Sequence, residues 1–335
     1  MTLQQKDIIV ICLAGIAIGA LKGAIPESLS LVLFLLLLIS YFGFGHSHPS
    51  KKQALEKTPH TPDRPASTGV SDPLEKEMEI AKHVQQGLLT VETPDIPGVQ
   101  IAARCLAATN VGGDFYTFIN KQGHALRAST NQPGVIQYVD KRDSYLGVAI
   151  GDVAGHGVSA ALVMALSSVI FRKLGKANQS PAAMFKTANQ DIFNYISASS
   201  VSYVTAFYGV LDSDAKQFHY AKAGHVPALR LKANGQIEEL SADGVFLGVF
   251  EGEDYEEKTI KLESKDRLIL YTDGLTEARN KAHEQFGEDR FKKHLQETQA
   301  LPIQDVVDQI YNAVTLFADG EPVHDDQTIV IMEVE

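Results

Sequence analysis

The sequence predicts an α+β fold of two antiparallel sheets flanked by helices, preceded by an N-terminal transmembrane helical hairpin. Three observations carry that reading. Strand-like runs after Pro97 are grouped and do not alternate one for one with helices, as βαβ units would require. The helical patterns come in pairs, Val158 to Leu174 with Pro181 to Ser197, and Glu288 to Thr298 with Pro302 to Ala318. Two nearly unbroken apolar runs occupy the first 45 residues.

The apolar runs are Ile8 to Leu21 and Leu29 to Phe44, joined by Lys22-Gly23-Ala24-Ile25-Pro26-Glu27. A membrane helix needs ~20 mainly apolar residues, and Lys22 can snorkel to extend the first run. A signal peptide would explain the first run but not the second, and no small-residue cleavage site lies between them. A buried core hairpin would show a polar face, which neither run does. Lys6 precedes the hairpin and Lys51, Lys52 and Lys57 follow it, whereas Lys22 between the runs is offset by Glu27. This positive-inside bias puts both termini in the cytoplasm. The expected location is therefore the inner (cytoplasmic) membrane, with two helices in the bilayer and the rest of the chain in the cytoplasm.

Residues 46–72 are rich in Pro, Thr, Ser, Lys and His. They cannot bury enough apolar surface to fold and read as a flexible linker, with His46, His48 and His60 as solvated tether residues. Residues 73–92 read as a connecting or regulatory helix. Asp72 can cap it, Pro73 suits its first position, and Glu75 and Glu77 lie near its positive end. Leu74, Met78, Ala81, Gln85 and Leu88 form an apolar stripe widened by Ile80 and Val84. Such a helix either covers the sheet or couples upstream segments to it, in part by forming a homodimer.

Residues 93–335 form the main domain. Strands are expected at Val99 to Ala108, Phe115 to Ile119, Tyr145 to Ile150, Tyr203 to Leu211, Gln217 to Ala221, Ala228 to Leu231, Glu257 to Leu262, Arg267 to Tyr271 and Thr328 to Val334. Lys121 to Asp143 is polar and reads as an extended hairpin or insertion.

The chain has 335 residues and a net charge of −11, with no basic run that could track a phosphate backbone. Nucleic acid is therefore not the expected partner. The two cysteines, Cys12 and Cys105, lie in an apolar run and a strand and do not suggest a disulfide framework.

Five short motifs fall at breaks between regular elements: Gly112-Gly113-Asp114, Gly151-Asp152-Val153-Ala154-Gly155-His156-Gly157, Ala223-Gly224-His225, Thr272-Asp273-Gly274 and Asp325-Asp326-Gln327-Thr328. Any one of them could be a turn or a helix cap. Together they supply short carboxylates at strand ends beside glycines that permit close approach, the donor type that hard divalent cations prefer. Like charges gathered in this way call for a cation between them.

In this order the motifs resemble the type 2C (PPM) metal-dependent serine/threonine phosphatase superfamily, in particular its bacterial SpoIIE/RsbU-like branch, from about Glu75 to the C-terminus. The resemblance implies an αββα sandwich. It implies two divalent cations, Mn²⁺ or Mg²⁺, held by Asp114, Asp152, Asp273 and Asp325 with the backbone carbonyl of Val153, and phosphoester hydrolysis by a metal-activated hydroxide. It implies a phosphoserine or phosphothreonine protein as substrate, of the STAS-type anti-sigma-factor antagonist class used in partner switching. Asp326 is then expected to orient Asp325 or water. His156 and His225 are candidates for the general acid, and Arg104 for a phosphate contact.

The chain departs from the family pattern at Thr117, where a second aspartate is usual, at Lys222 in place of Asn, and at Ala107 in place of Pro. The alternative function is a catalytically weak, membrane-tethered binding module of the same fold, for which Thr117 is the hint. A nucleotide cyclase is disfavoured, because its signature needs a carboxylate where Phe115 stands and leaves the later aspartates unexplained.

Overall fold

The computed structural model describes residues 73–89, 94–120, 126–128, 136–138, 145–176, 179–196 and 203–335. The predicted hairpin of residues 1–45 and the linker 46–72 lie outside the described residues. The elements are α1 (Pro73–Leu89), β1 (Val99–Leu106), β2 (Phe115–Asn120), β3 (Leu126–Ala128), β4 (Ile136–Tyr138), β5 (Tyr145–Val153), α2 (Val158–Gly175), α3 (Pro181–Ile196) and β6 (Val204–Asp212). There follow β7 (Gln217–Ala223), β8 (Ala228–Leu231), β9 (Ile237–Leu240), β10 (Glu257–Lys261), β11 (Arg267–Tyr271), α4 (Asp273–Thr276), α5 (Glu288–Glu297), α6 (Ile303–Ala318) and β12 (Gln327–Val334). The short strand β9 and the single turn α4 were not expected from periodicity. Ile237-Glu238-Glu239-Leu240 does not alternate apolar with polar residues, and α4 is a single turn.

Two five-stranded sheets form, in the orders β1-β12-β11-β8-β9 and β10-β7-β6-β5-β2. Their neighbouring strands pair antiparallel throughout. The stretch expected as a hairpin or insertion contributes the small pair β3–β4, with Leu126 opposite Tyr138.

Side chains alternate across a strand, and both faces of each sheet are covered, so the central strands are apolar on both sides. Leu268 and Leu270 of β11 and Val330 and Met332 of β12 face the other sheet, where they meet Val148, Ile150, Phe207 and Phe218. The intervening Ile269, Tyr271, Ile329 and Ile331 face outward onto Phe291 of α5 and Val307, Ile310 and Val314 of α6. On the opposite side, Ala149 and Val153 of β5 pack with Met164 and Phe171 of α2 and Phe185 and Ile192 of α3. The layers are therefore helix, sheet, sheet, helix.

Among the described residues, only α2 is long and apolar enough to cross a membrane by length and composition, and half of it is buried in this core. Its continuous hydrophobicity reflects packing on the sheet. The stripe of α1 is narrower than its sequence suggests: Ile80 and Val84, each 64% exposed, face solvent, while Gln85 is buried and Leu89 packs against the helix-side core.

Candidate metal centre

Strand pairing brings the aspartates together. Phe115 lies opposite Gly151, so Asp114 at the start of β2 and Asp152 near the end of β5 fall at one edge of the first sheet. Tyr271 lies opposite Ile329, and the Thr272 amide donates to the Thr328 carbonyl at 3.1 Å. Asp273 and Asp325 therefore fall at one edge of the second sheet. The two edges coincide: the hydroxyls of Thr272 and Thr328 donate to Asp114 Oδ2 at 2.8 and 2.6 Å.

Asp326 holds the loop that carries Asp114. Its carboxylate accepts the backbone amides of Ala108 at 2.7 Å, Gly113 at 2.5 Å and Asp114 at 3.2 Å. Its role is thus broader than orienting Asp325, and its own amide donates to Asp325 Oδ1 at 2.8 Å. A Cβ on Gly112 would fall 2.2 Å from Asp326 Oδ2, and one on Gly274 would fall 2.0 Å from the Asp326 carbonyl oxygen. Glycine is needed at both positions because carboxylate and backbone close on them. Gly274→Ala is expected to weaken Mn²⁺ binding at least about tenfold by displacing the Asp325–Asp326 backbone. Calorimetric titration of Mn²⁺ into the variant and the parent chain checks this.

The second motif bends through Gly155 and Gly157, with φ of 104° and 77°, conformations that a side chain would strain. This sharp exit from β5 lets α2 start directly beside the carboxylates. The carbonyl of Val153 points toward Gly113, where a Cβ would approach it to 2.9 Å.

Electrostatics report the crowding. Burial, and then the carboxylate of Asp152, hold Asp114 well above the ordinary aspartate range. Burial, followed by the charges of Asp273, Asp325 and Asp326, pushes Asp152 up to about 7. Burial also raises Asp273, with Glu277 adding to it. Burial raises Asp325 as well; Asp273 and Asp326 reinforce the shift and the nearby His156 opposes it.

Among the described residues, no three His, Cys, Asp or Glu side chains converge closely enough to hold an ion as they stand. The donor set nevertheless fits a hard divalent cation. It is all oxygen and mutually repulsive, and a Cβ on Gly113 would come 2.9 Å from the Val153 carbonyl oxygen and 3.5 Å from Asp152 Oδ1, so glycine keeps two of the donors uncovered.

The structure separates the two histidines. His225 is buried, with Nδ1 2.9 Å from the Thr205 hydroxyl and Nε2 3.1 Å from the Tyr271 carbonyl. The carbonyl can only accept, so Nε2 carries the proton and donates to it. Burial pushes this imidazole down to about 3, so it stays neutral and ties one sheet to the other. It is not a proton donor to substrate. His156 is exposed beside Asp325 and remains the candidate.

Because the unfolded chain takes up this proton below pH 6.5 and the native one does not, His225 removes stability as pH falls from 6.5 toward 3. His225→Asn is expected to flatten that acid decline and to cost roughly 1–3 kcal/mol at neutral pH. The pH–rate profile of the folded fraction should keep its shape, and melting curves between pH 5 and 8 test the first part.

Two further expectations are corrected. Arg104 does not face the carboxylates. Its guanidinium pairs with Asp308 of α6 and lies 5.0 Å from the Tyr311 ring centroid, pinning an edge strand to the outer helix. Thr117 points away from the site, toward α2, where its hydroxyl accepts from Arg172 Nε at 3.0 Å. Arg172 also donates to the Leu88 carbonyl at the end of α1. The missing second aspartate thus leaves the carboxylate centre intact and removes the hint toward a weak binding module.

Sequence reading missed Gln85. Its Nε2 donates to the Gly112 carbonyl at 2.7 Å and its Oε1 accepts the Gly112 amide at 3.0 Å. The signals for it were a polar residue inside an apolar stripe and the Gln85-Gln86…Leu88-Leu89 pattern that forms part of the family resemblance.

The profile of stage II sporulation protein E (SpoIIE) matches residues 142–335, more than half of the chain. The phosphoserine phosphatase RsbU of Bacillus subtilis is 29% identical over 265 residues, covering 79% of this chain and 72% of RsbU. The phosphoserine phosphatase RsbP of the same organism is 24% identical over 262 residues, covering 78% of this chain and 58% of RsbP. The SiaA-PP2C domain of Pseudomonas aeruginosa superposes with a TM-score of 0.60 at 20% identity, covering 78% of this chain and 97% of that domain.

Proposed function

The chain belongs to the stage II sporulation protein E (SpoIIE) family, and we propose that its carboxylate centre is the active site of a serine/threonine protein phosphatase of the PP2C type. Asp114, Asp152, Asp273 and Asp325, with the carbonyl of Val153, would hold two divalent cations, Mn²⁺ or Mg²⁺. The observation that carries this reading is the set of four aspartates delivered from two sheets to one edge, each raised by burial and most by one another. Bound cations supply Lewis acidity, making water a nucleophile near neutral pH and neutralising charge on a transferring phosphoryl group.

The chain's own residues fix that chemistry in place. Asp326 and Gln85 hold the Gly112–Asp114 loop, Thr272 and Thr328 orient Asp114, and His156 stands at the exposed rim where a leaving oxygen could take a proton. Among the described residues no Ser or Cys is paired with a base, so a covalent phosphoenzyme is not part of the reading.

The substrate class is a protein carrying phosphoserine or phosphothreonine. The similarity to the phosphoserine phosphatases RsbU and RsbP supports a phosphoserine substrate, and the family resemblance implies an anti-sigma-factor antagonist of STAS type. The apolar runs 8–21 and 29–44 support a membrane anchor with the phosphatase domain on the cytoplasmic side. Exposed Ile80 and Val84 support self-association through α1.

The test is release of inorganic phosphate from a phosphoserine protein. Activity is expected with Mn²⁺ and is expected to vanish after exhaustive chelation and return on adding metal. Turnover that survives chelation would reject the metal assignment.

A further inference from the structure

A pair of aromatic rings stands beside the carboxylate centre, on the face of the first sheet that carries Asp152. Strand register fixes their place. Asp152 lies opposite Thr205 and Val153 opposite Val204, and the Ala154 amide donates to the Tyr203 carbonyl at 3.0 Å. Side chains two apart along a strand share a face. Tyr203 therefore projects on the same side as Thr205 and Asp152, one step beyond them at the strand end. The Phe246 ring lies against it, with centroids 4.5 Å apart.

The loop that carries Phe246 is fastened by its backbone. Val204 and Leu247 exchange amide-to-carbonyl hydrogen bonds at 3.0 and 2.9 Å, and the Gly224 amide donates to the Gly244 carbonyl at 2.9 Å. Asn189 of α3 is buried; it accepts the Gly248 amide at 2.8 Å and donates to the Phe250 carbonyl at 2.7 Å. Gly224 of the third motif, with φ of 63°, makes room for the ring, because a Cβ there would fall 2.2 Å from Phe246 Cδ1. The loop thus keeps its path while the Phe246 side chain is left 40% exposed. Val245 and Phe250 of the same loop are exposed as well. Single exposed apolar side chains are ordinary, but several held rigidly on one loop beside a reactive centre mark a recognition surface.

The surroundings select the occupant. Residues 243–257 hold six carboxylates and no lysine or arginine. Anionic lipid would be repelled by them, and a second copy meeting this face across a twofold axis would bring the same six carboxylates against them. The rings adjoin the strand end that carries Asp152 and Val153, so the chain that brings a phosphoserine to the metals lays its neighbouring residues across them.

We propose that Phe246, backed by Tyr203, is the docking point for an apolar side chain next to the phosphoserine of the protein substrate. The proposal rests on the phosphatase reading and adds a sequence preference to it: an aliphatic or aromatic residue flanks the phosphorylated serine.

The test is steady-state kinetics of the full chain in Mn²⁺ on two phosphoserine peptides that differ only in carrying leucine or glycine on either side of the phosphoserine, with p-nitrophenyl phosphate as a third substrate. The parent chain is expected to prefer the leucine peptide at least about tenfold in kcat/KM, through KM. Phe246→Ala should bring the ratio of the two peptides close to unity. Phe246→Leu, which keeps an apolar side chain, should restore most of the preference. The ratio is taken within each variant, so any loss of folded protein cancels. Equal kcat/KM of the parent chain on both peptides, or a leucine preference that survives Phe246→Ala, would overturn the proposal and leave the phosphatase reading standing. Failure of the parent chain to release phosphate from all three substrates would overturn both. A dimer that Phe246→Ala dissociates would place a second copy on the rings and overturn the proposal.

Discussion

Asp152→Asn is expected to lower turnover by at least about a thousandfold in saturating Mn²⁺, about 4 kcal/mol of barrier, while making the metal-free protein more stable. The loss follows from removing one charge of the donor set without changing its shape. The gain follows from the crowding of the carboxylates. Asp152 titrates near pH 7 in the native state, against 3.8 ordinarily. The folded chain therefore keeps a proton that the unfolded chain has released, and stability falls as pH rises from 3.8 to about 7.

Asparagine removes that penalty. Because the strain is shared among coupled carboxylates, the expected gain is about 1 kcal/mol or more above pH 7, a rise of roughly 3 °C in melting temperature. Melting curves in chelator, with phosphate release measured in Mn²⁺, check both halves. Unchanged turnover would remove Asp152 from the donor set. A destabilised apo-protein would show that the carboxylates do not strain one another.

Gln85→Ala is expected to have the second largest effect, and it decides what α1 does. Gly112 is gripped on both backbone groups by this one side chain, and the next residues are gripped by Asp326. Loss of Gln85 leaves a buried amide and carbonyl unpaired, at roughly 1–3 kcal/mol each, and frees the loop that presents Asp114. If α1 governs the order of the metal site, specific activity of the folded fraction falls about ten- to a hundredfold, with partial recovery at higher Mn²⁺.

Leu88→Ala with Leu89→Ala should act in the same direction, because Leu89 packs on the helix-side core. If α1 only covers the sheet, both variants melt earlier and the folded fraction works at the parental rate. Melting temperature and rate, compared for each variant, separate the two.

The sequence by itself determined the layer class and the order of the strands along the chain, and it singled out the four carboxylates proposed as metal ligands. These are local or pairwise signals: alternation marks a strand, and glycine beside aspartate at a strand end marks a close turn. The same signals placed the edges of most elements within a residue or two, as at Arg267–Tyr271 and Ala228–Leu231. The αββα arrangement came with the family resemblance.

What only the tertiary structure decided is what each polar side chain meets. Thr117 and Arg104 are a strand threonine and a strand arginine in the sequence. Whether such a residue faces a metal, a helix or a neighbouring carboxylate depends on which layer covers its face, and that is set by packing between segments far apart in the chain. Gln85 and Gly112 are 27 residues apart, and Asp326 reaches a loop more than 200 residues before it. His225 reads as a candidate acid until burial between two sheets holds it neutral. Contacts of this range leave no period in the sequence. Their energy comes from desolvation and hydrogen bonding that exist only once both sheets are assembled.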